Sequence, residues 1–409
     1  MATRGVAVSA RGRARPSARS KSSSQQLHAG HPSVLLGMTT SILVTVGLVM
    51  ILSASSVASY ASTGSSFFYF RRQALWVLIG VVAYVGAMKV DYRKLRKLSY
   101  PALGLAALLL GLVLIPGVGT TVSGSSRWLN LGPISFQPSE FAKLALVLFL
   151  AEAYVRKKED LFDGFAHTAM PFIPGLGVLV ILVMAQPDLG TTMVLAFVGL
   201  GMLFIAGAPL RYVLPLGLGG AVLATGAALS ADYRRARVLA FLDPWADPLN
   251  TGYHTIQSLI AVGSGGWWGV GLGASRQKWM YVPNAHTDFI FAILAEEMGL
   301  IGSLVVIGLF SFVTYLGVKT AQRAPDRFGM LVASGITIWI AMQAVVNMGA
   351  VTGSLPITGV PLPLVSFGGT SLLFTLIGMG ILTNIASQGR FPSRRAAVKD
   401  EDREPAGRR

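Results

Sequence analysis

The chain of 409 residues has no cysteine and little charge, with Asp, Glu, Lys and Arg making up only 13% of it. Without a thiol it forms no disulfide, no thiolate metal site and no cysteine nucleophile. A soluble domain carries about 25% charged residues, so roughly half of the usual complement is missing. Acids are the scarcer sign, 18 against 34 bases, which leaves a formal charge of +16. Apolar residues fill the space: 53% of the chain is hydrophobic, and mean hydropathy is +0.60. Apolar runs recur, each long enough to cross about 30 Å of hydrocarbon as a helix. A soluble enzyme, a disordered scaffold and a fibrous repeat are excluded. The basic excess belongs to cytoplasmic loops and tails rather than to a nucleic-acid surface.

Residues 1–32 hold Arg4, Arg11, Arg13, Arg15, Arg19 and Lys21 and no acid. Such a stretch buries too little apolar surface to offset its ordering entropy, and it reads as a disordered basic cytoplasmic arm. The apolar run that follows is too long for the core of a signal peptide. Residues 33–387 read as one transmembrane domain with spans at 33–56, 73–90, 99–118, 139–155, 169–186, 189–208, 212–230, 288–318, 328–351 and 362–386. Residues 388–409 form a polar cytoplasmic tail. An unbroken helix over 169–208 would run about 60 Å, twice the hydrocarbon thickness. Gln186-Pro187-Asp188 breaks it, because proline donates no ladder hydrogen bond.

With both termini inside, 25 basic residues fall on the cytoplasmic side and nine on the other. That is the asymmetry of the positive-inside rule. The expected fold is all-α and polytopic: ten transmembrane helices with a large extracytoplasmic loop, 231–287, between the seventh and eighth. This loop lacks an evident helical or strand period, yet Trp245, Trp267, Trp268, Trp279 and Tyr281 argue against disorder. They suit a lid at headgroup level. Its glycine clusters at 263–266 and 269–273 resemble phosphate cradles, but no strand precedes them and no Walker lysine follows. Backbone turns and close packing explain them better.

An ionised side chain in hydrocarbon costs several kcal/mol, roughly 2.5–3.5 on insertion scales, so each one calls for a reason. Asp288 closes the large loop just before Phe289-Ile290-Phe291. It is either a helix cap or a carboxylate at the outer mouth of the bundle that takes a proton from a hydroxyl. Glu296 and Glu297 lie about 12–13 Å deeper on the same helix, as a structural pairing or as part of the chemistry. Glu140 and Lys143, three apart on one helical face, form an ion pair or a polar notch that holds a phosphate or a water. Arg127 beside Trp128 suits diphosphate binding at the interface. Asp188 is a turn residue by default. Arg127, Glu140, Lys143, Asp188, Arg234, Arg235, Arg237, Lys278 and Asp288 nevertheless all map to the outer side, as a site for a charged lipid-linked substrate would require. No metal-ligand spacing is present. Residues 353–371, rich in proline and glycine, predict a broken helix, which is tolerated at depth only where it lines protein or water. Ser366 in that segment and His286 beside Asp288 are counted among the candidate substrate contacts.

Five stretches together resemble the SEDS (shape, elongation, division, sporulation) family of bacterial cell-wall proteins. They are RWLNLGPISFQPSEFAKL (127–144), QPDLGTT (186–192), GYHTIQSLIAVGSGGWWGVGLGAS (252–275), PNAHTDFIFAILAEEMG (283–299) and LPITGVPLPLVSFGGTSL (355–372). The chain looks most like the cell-division branch. The resemblance implies a peptidoglycan glycosyltransferase that polymerises lipid II on the outer face of the cytoplasmic membrane, at the septum. It implies a class B penicillin-binding transpeptidase and other division proteins as partners. The family's essential aspartate falls on Asp288, its important tryptophan on Trp128, and its Glu/Lys pair on Glu140 and Lys143. Asn284 and His254 stand where the family often has Glu and Gln. A lipid II flippase is the alternative. A divalent cation, Mg or Mn, is left open as a helper for the departing diphosphate, with metal ligands unassigned.

Overall fold

A computed structural model describes residues 31–122, 125–132, 134–157, 164–229 and 232–389. All but the last two residues of the basic arm, and nearly all of the polar tail, lie outside the described residues. A helix falls within each of the ten expected segments, although the tenth begins at Gly369 rather than at 362: α1 (Pro32–Thr63), α2 (Phe68–Lys89), α3 (Ser99–Val113), α4 (Pro138–Lys157), α5 (Phe165–Ala185), α6 (Leu189–Ile205), α7 (Leu210–Leu229), α10 (Ile290–Gln322), α11 (Arg327–Val351) and α12 (Gly369–Gln388). Between α7 and α10 lie α8 (Asp232–Leu242) and α9 (Tyr253–Ser264). Among the described residues, seven helices are long and apolar enough to cross a membrane, the third taken with the 3-10 turn Tyr92–Leu98 that leads into it, and α6 and α7 are shorter apolar helices. The chain is a multi-pass membrane protein.

Local chemistry sets several boundaries. Pro32 occupies the first turn of α1 and the His31 side chain accepts from Ser33 N–H, while Gly64 at φ 72° ends that helix. Asp188 caps α6 by accepting from Thr191 N–H. Asp326 caps α11 by accepting from Gly329 N–H at 2.8 Å. Each cap satisfies an amide that the first turn leaves without a carbonyl.

The middle of the bundle is built from α4, α11 and α12. Most of α4 is buried although it carries Glu140, Lys143 and Glu152. The outer helices instead present Leu78 and Val82 of α2, Leu108 of α3 and Leu218, Val222 and Leu223 of α7. This inverts the soluble rule, with apolar side chains facing lipid and polar ones kept inside.

Two parts of the sequence reading need correction. The third span stops at Val113, and three strands beyond it form an antiparallel sheet: β1 (Gly119–Val122), β2 (Ser125–Leu131) and β3 (Ile134–Phe136). Thr120 pairs with Trp128, and Leu129 with Phe136. Phe136 packs on Phe374 of α12, fixing the sheet across one end of the bundle. The large loop is likewise not aperiodic. In α9 the buried residues are Thr255, Ile256, Ser258 and Ala261, a face of small and polar side chains that hydrophobic periodicity passes over.

Helix α10 is interrupted at Gly299, where φ is 66° and ψ −165°. The backbone groups freed at the break are satisfied by the glycine-rich segment of the large loop. Val270 and Gly271 N–H donate to the Glu296 and Glu297 carbonyls at 3.0 and 3.1 Å. Leu300 and Ile301 N–H donate to the Gly266 and Trp267 carbonyls at 2.9 and 3.2 Å. This is how a broken helix survives in lipid. A Cβ on Gly269 would lie 2.2 Å from the Glu297 carbonyl oxygen, and one on Gly299 would lie 2.3 Å from Gly269 N. The glycines therefore serve close backbone approach, and nothing about them requires a nucleotide.

Residues 352–368 are irregular and enter the same end of the bundle, with Val360, Leu362, Leu364 and Val365 buried. Room comes from Gly47 on α1, whose Cβ would stand 2.7 Å from the Leu364 carbonyl oxygen, and from Gly190 on α6. Replacing Gly299 with Ala adds left-handed strain and a backbone clash, and should lower stability by about 1–3 kcal/mol. Denaturant titration of the detergent-solubilised protein measures it.

Candidate active site

Asp288 stands on the turn just ahead of α10, and the cap position of that helix is Phe289, one residue further on. The surroundings of Asp288 come from the irregular segment. Three successive carbonyls are held in a row: His286 by Phe367 N–H at 2.9 Å, Thr287 by Ser366 Oγ at 2.7 Å and Asp288 by Asn347 Nδ2 at 2.8 Å. Asn347 Nδ2 also donates to the Val360 carbonyl at 2.8 Å. Ser366 Oγ in turn accepts from Leu362 N–H. The Asp288 carboxylate, half-buried, faces Gly359, where an added Cβ would sit 3.6 Å from Oδ2. Gly359 has φ 73°, so a side chain there would be strained and would crowd the acid.

His286 lies against Tyr69, with ring centroids 4.6 Å apart, and edge-on to Phe367 at 5.5 Å. Burial among these rings pushes its pKa down to about 4, so the imidazole is neutral near pH 7. Gln73 of α2 reaches the same place, donating to the Ser366 carbonyl and accepting from Gly368 N–H.

The Glu140–Lys143 pair is buried one layer away. Lys143 Nζ lies 2.9 and 2.8 Å from the two Glu140 carboxylate oxygens. It also donates to Gln343 Oε1 at 2.8 Å and sits 5.2 Å above the Trp339 ring. Gln343 Nε2 then donates to the Pro361 carbonyl at 2.9 Å. Gln343 and Asn347 are one turn apart on α11, and they hold the consecutive carbonyls of Pro361 and Val360. The ion pair and the Asp288 turn thus share one strip of backbone. The pair is the ion pair of the first reading, with Gln343 and the Trp339 ring as its further neighbours.

Arg127 and Asp188 meet, with Nη1 to Oδ2 at 3.8 Å. Arg127 also donates to the Gln186 and Pro187 carbonyls, tying β2 to the turn between α5 and α6. Asp188 accepts from Thr191 Oγ1 at 2.9 Å, so its default turn role is realised. Trp128 is half-buried on β2 beside this pair. Lys278 is buried and paired with Glu297 at 3.5 Å, while Ser53 of α1 donates to the same Glu297 oxygen at 2.6 Å. Glu296 accepts from Ser275 Oγ and from Arg276 N–H at 2.9 Å. Arg234 and Arg237 lie on α8, but their side chains fall outside the described residues. Arg71, Arg235 and Arg276 are exposed guanidinium groups at this end.

Sequence reasoning missed Asn347, Gln343 and Gln73. The first two left a signal, since two amides four apart in an apolar span share one helical face and need a partner. Among the described residues, no group of three or more His, Asp or Glu side chains is placed to hold a metal ion.

Removing one partner of a buried ion pair costs about 3–5 kcal/mol, whereas replacing both is close to neutral. Lys143→Met should therefore lower the unfolding free energy by about that much, and adding Glu140→Gln should restore most of it, as denaturant titration would read. His286 gives a pH signature. Its folded pKa is depressed, so the stability that its neutral form contributes is complete above about pH 6.5 and is lost as pH falls toward 4. The stability difference between wild type and His286→Phe should shrink or reverse across that window.

The chain matches the FtsW/RodA/SpoVE family, described as cell cycle protein, over residues 33–390. It is 44% identical to stage V sporulation protein E of Bacillus subtilis (strain 168) over 363 residues, 88% of this chain and 98% of that protein. It is 40% identical to a probable peptidoglycan glycosyltransferase FtsW of Geobacter sp. (strain M18), with the same shares covered. A chain solved in a study of polymerization and crosslinking by a peptidoglycan synthase complex superposes with a TM-score of 0.70 at 34% identity, covering 87% of this chain and 98% of that one. The rod shape determining protein RodA of Thermus thermophilus superposes with a TM-score of 0.64 at 28% identity, covering 87% and 97%. The protein is a member of the FtsW/RodA/SpoVE, or SEDS, family.

Proposed function

We propose that this protein is a peptidoglycan glycosyltransferase that polymerises lipid II, working in cell division with a class B penicillin-binding transpeptidase and further division proteins. Family membership over nearly the whole membrane domain supports the activity, and the synthase-complex relative supports the partner. Both termini lie in the cytoplasm in this reading, ten helices cross the membrane, and the sheet and the Asp288 turn face outward. The charge asymmetry of the loops supports that orientation. The septum is the proposed place of action.

The observation that carries the reading is the carboxylate of Asp288, whose backbone is held by three successive carbonyl hydrogen bonds at the mouth of the bundle. Bond formation needs the 4-hydroxyl oxygen of one saccharide to attack the anomeric carbon of another, with undecaprenyl diphosphate leaving. The hydroxyl proton passes to the Asp288 carboxylate. A base acts only at a fixed height above its substrate, and clamping the backbone beside it supplies that fixity.

The paired cations change the expected roles of several residues. Lys143, Lys278 and Arg127 spend their charge inside the protein, and we assign them to holding the walls of the site. Arg71, Arg235 and Arg276 remain exposed and are proposed to meet the diphosphate together with a divalent cation. The flippase alternative leaned on Glu296 and Glu297. Glu296 binds loop amides and Glu297 faces Lys278, an arrangement that favours surface chemistry over passage.

The test uses the full-length protein with its transpeptidase partner and labelled lipid II. Asp288→Asn should lower glycan polymerisation about 100-fold or more while leaving membrane insertion intact. Polymer made at the wild-type rate would remove the base assignment. Lipid II scrambled across vesicles without polymer would favour the flippase.

A further inference from the structure

The end of the bundle opposite Asp288 carries a second polar cluster. A cavity of about 230 Å³ is lined by Arg93, Arg96, Val155, Asp326, Arg327 and Phe328. Arg93 pairs with Asp326 at 3.0 Å and lies 3.6 Å from Asp91. Arg96 pairs with Glu152 at 2.7 Å, and Arg156 shares the same carboxylate. Arg327 donates one N–H to the Ala206 carbonyl at 3.0 Å. Four guanidinium groups therefore face three carboxylates.

The acids are already satisfied by the fold. Asp326 caps α11 and accepts from Tyr92 Oη at 2.6 Å, and Glu152 is held by two arginines. A further anion in the cavity would meet the surplus positive charge and the start of α11, whose dipole also favours it. Lys94 and Lys97 stand exposed on the same turn. The flanking surface is apolar: Leu98, Tyr100, Leu105 and Leu108 along the adjoining turn and α3 are all exposed. Arg156 lies 5.1 Å above the Tyr100 ring, joining the charged rim to that apolar strip.

A cationic cavity at the foot of a lipid-facing strip matches a molecule with an anionic head and a hydrocarbon tail. We propose that this cavity binds the phosphate headgroup of an anionic phospholipid, its acyl chain lying along α3. A free phosphate would use the arginines and leave the strip unused. The site is separate from Asp288 and stands whether or not the glycosyltransferase reading holds.

The test is native mass spectrometry of the full-length protein released from detergent with equal amounts of phosphatidylglycerol and phosphatidylcholine. Wild type should retain phosphatidylglycerol preferentially, and each arginine removed in Arg93→Gln and Arg327→Gln should weaken that retention about five-fold. Phosphatidylcholine retention should stay unchanged, which separates loss of the site from loss of fold. Arg93→Lys with Arg327→Lys should keep most of the preference, because charge is preserved. Equal retention of the two lipids by wild type would overturn the proposal. So would equal phosphatidylglycerol retention by wild type and the Gln variants, or full displacement by millimolar inorganic phosphate.

Discussion

The hydrogen bonds from Phe367 N–H, Ser366 Oγ and Asn347 Nδ2 to the carbonyls of residues 286–288 hold the site together. A turn that must present a carboxylate at a membrane surface cannot rely on helix geometry, because it lies outside any helix. It borrows rigidity from the irregular segment 352–368, which has backbone groups of its own to satisfy. Each stretch supplies what the other lacks, and neither would stay at this depth alone. The Glu140–Lys143 pair extends the arrangement through Gln343, so that a charge on α4 and an amide on α11 steady the same strip of chain.

Burial of charge in this protein follows one pattern. Lys143, Lys278, Glu140, Glu296 and Glu297 are almost wholly inaccessible, yet each is partnered, Glu140 by Lys143 on its own helix and the other four across a helix or loop boundary. A buried pair contributes little net stability, since desolvation offsets most of the attraction. Its value lies in specificity, because a shifted register would leave a bare charge in hydrocarbon. In a bundle whose helices are alike in being apolar, such pairs select one packing among several.

The sequence made the helices legible because length and hydropathy alone decide which segments cross a bilayer. It also made Asp288 legible, as an acid at the border of a span. The small sheet was not foreseen, because its short strands sit inside a glycine-rich loop and Arg127-Trp128-Leu129-Asn130-Leu131 lacks a strict polar–apolar alternation. The break at Gly299 was hidden as well: one glycine in a long apolar run looks the same whether the helix continues or stops. Lys278 and Arg127 were read as outward-facing cations, since a lone sequence shows which charges exist but not which pair. Asn347 and Gln343 were visible and overlooked, as neutral amides carry no charge to raise an alarm.

The junction between residues 266–271 and the interruption of α10 joins the protein surface to the Asp288 turn. Trp267 and Trp268 are among the most exposed large apolar side chains of the described residues, and the Gly266 and Trp267 carbonyls are bonded directly into that helix. Residues 289–298 separate the break at Gly299 from Asp288, and their helical part, 290–298, is a rod of about 13 Å. The indole fringe at the surface and the Asp288 turn are thus the two ends of one continuous run of hydrogen-bonded backbone.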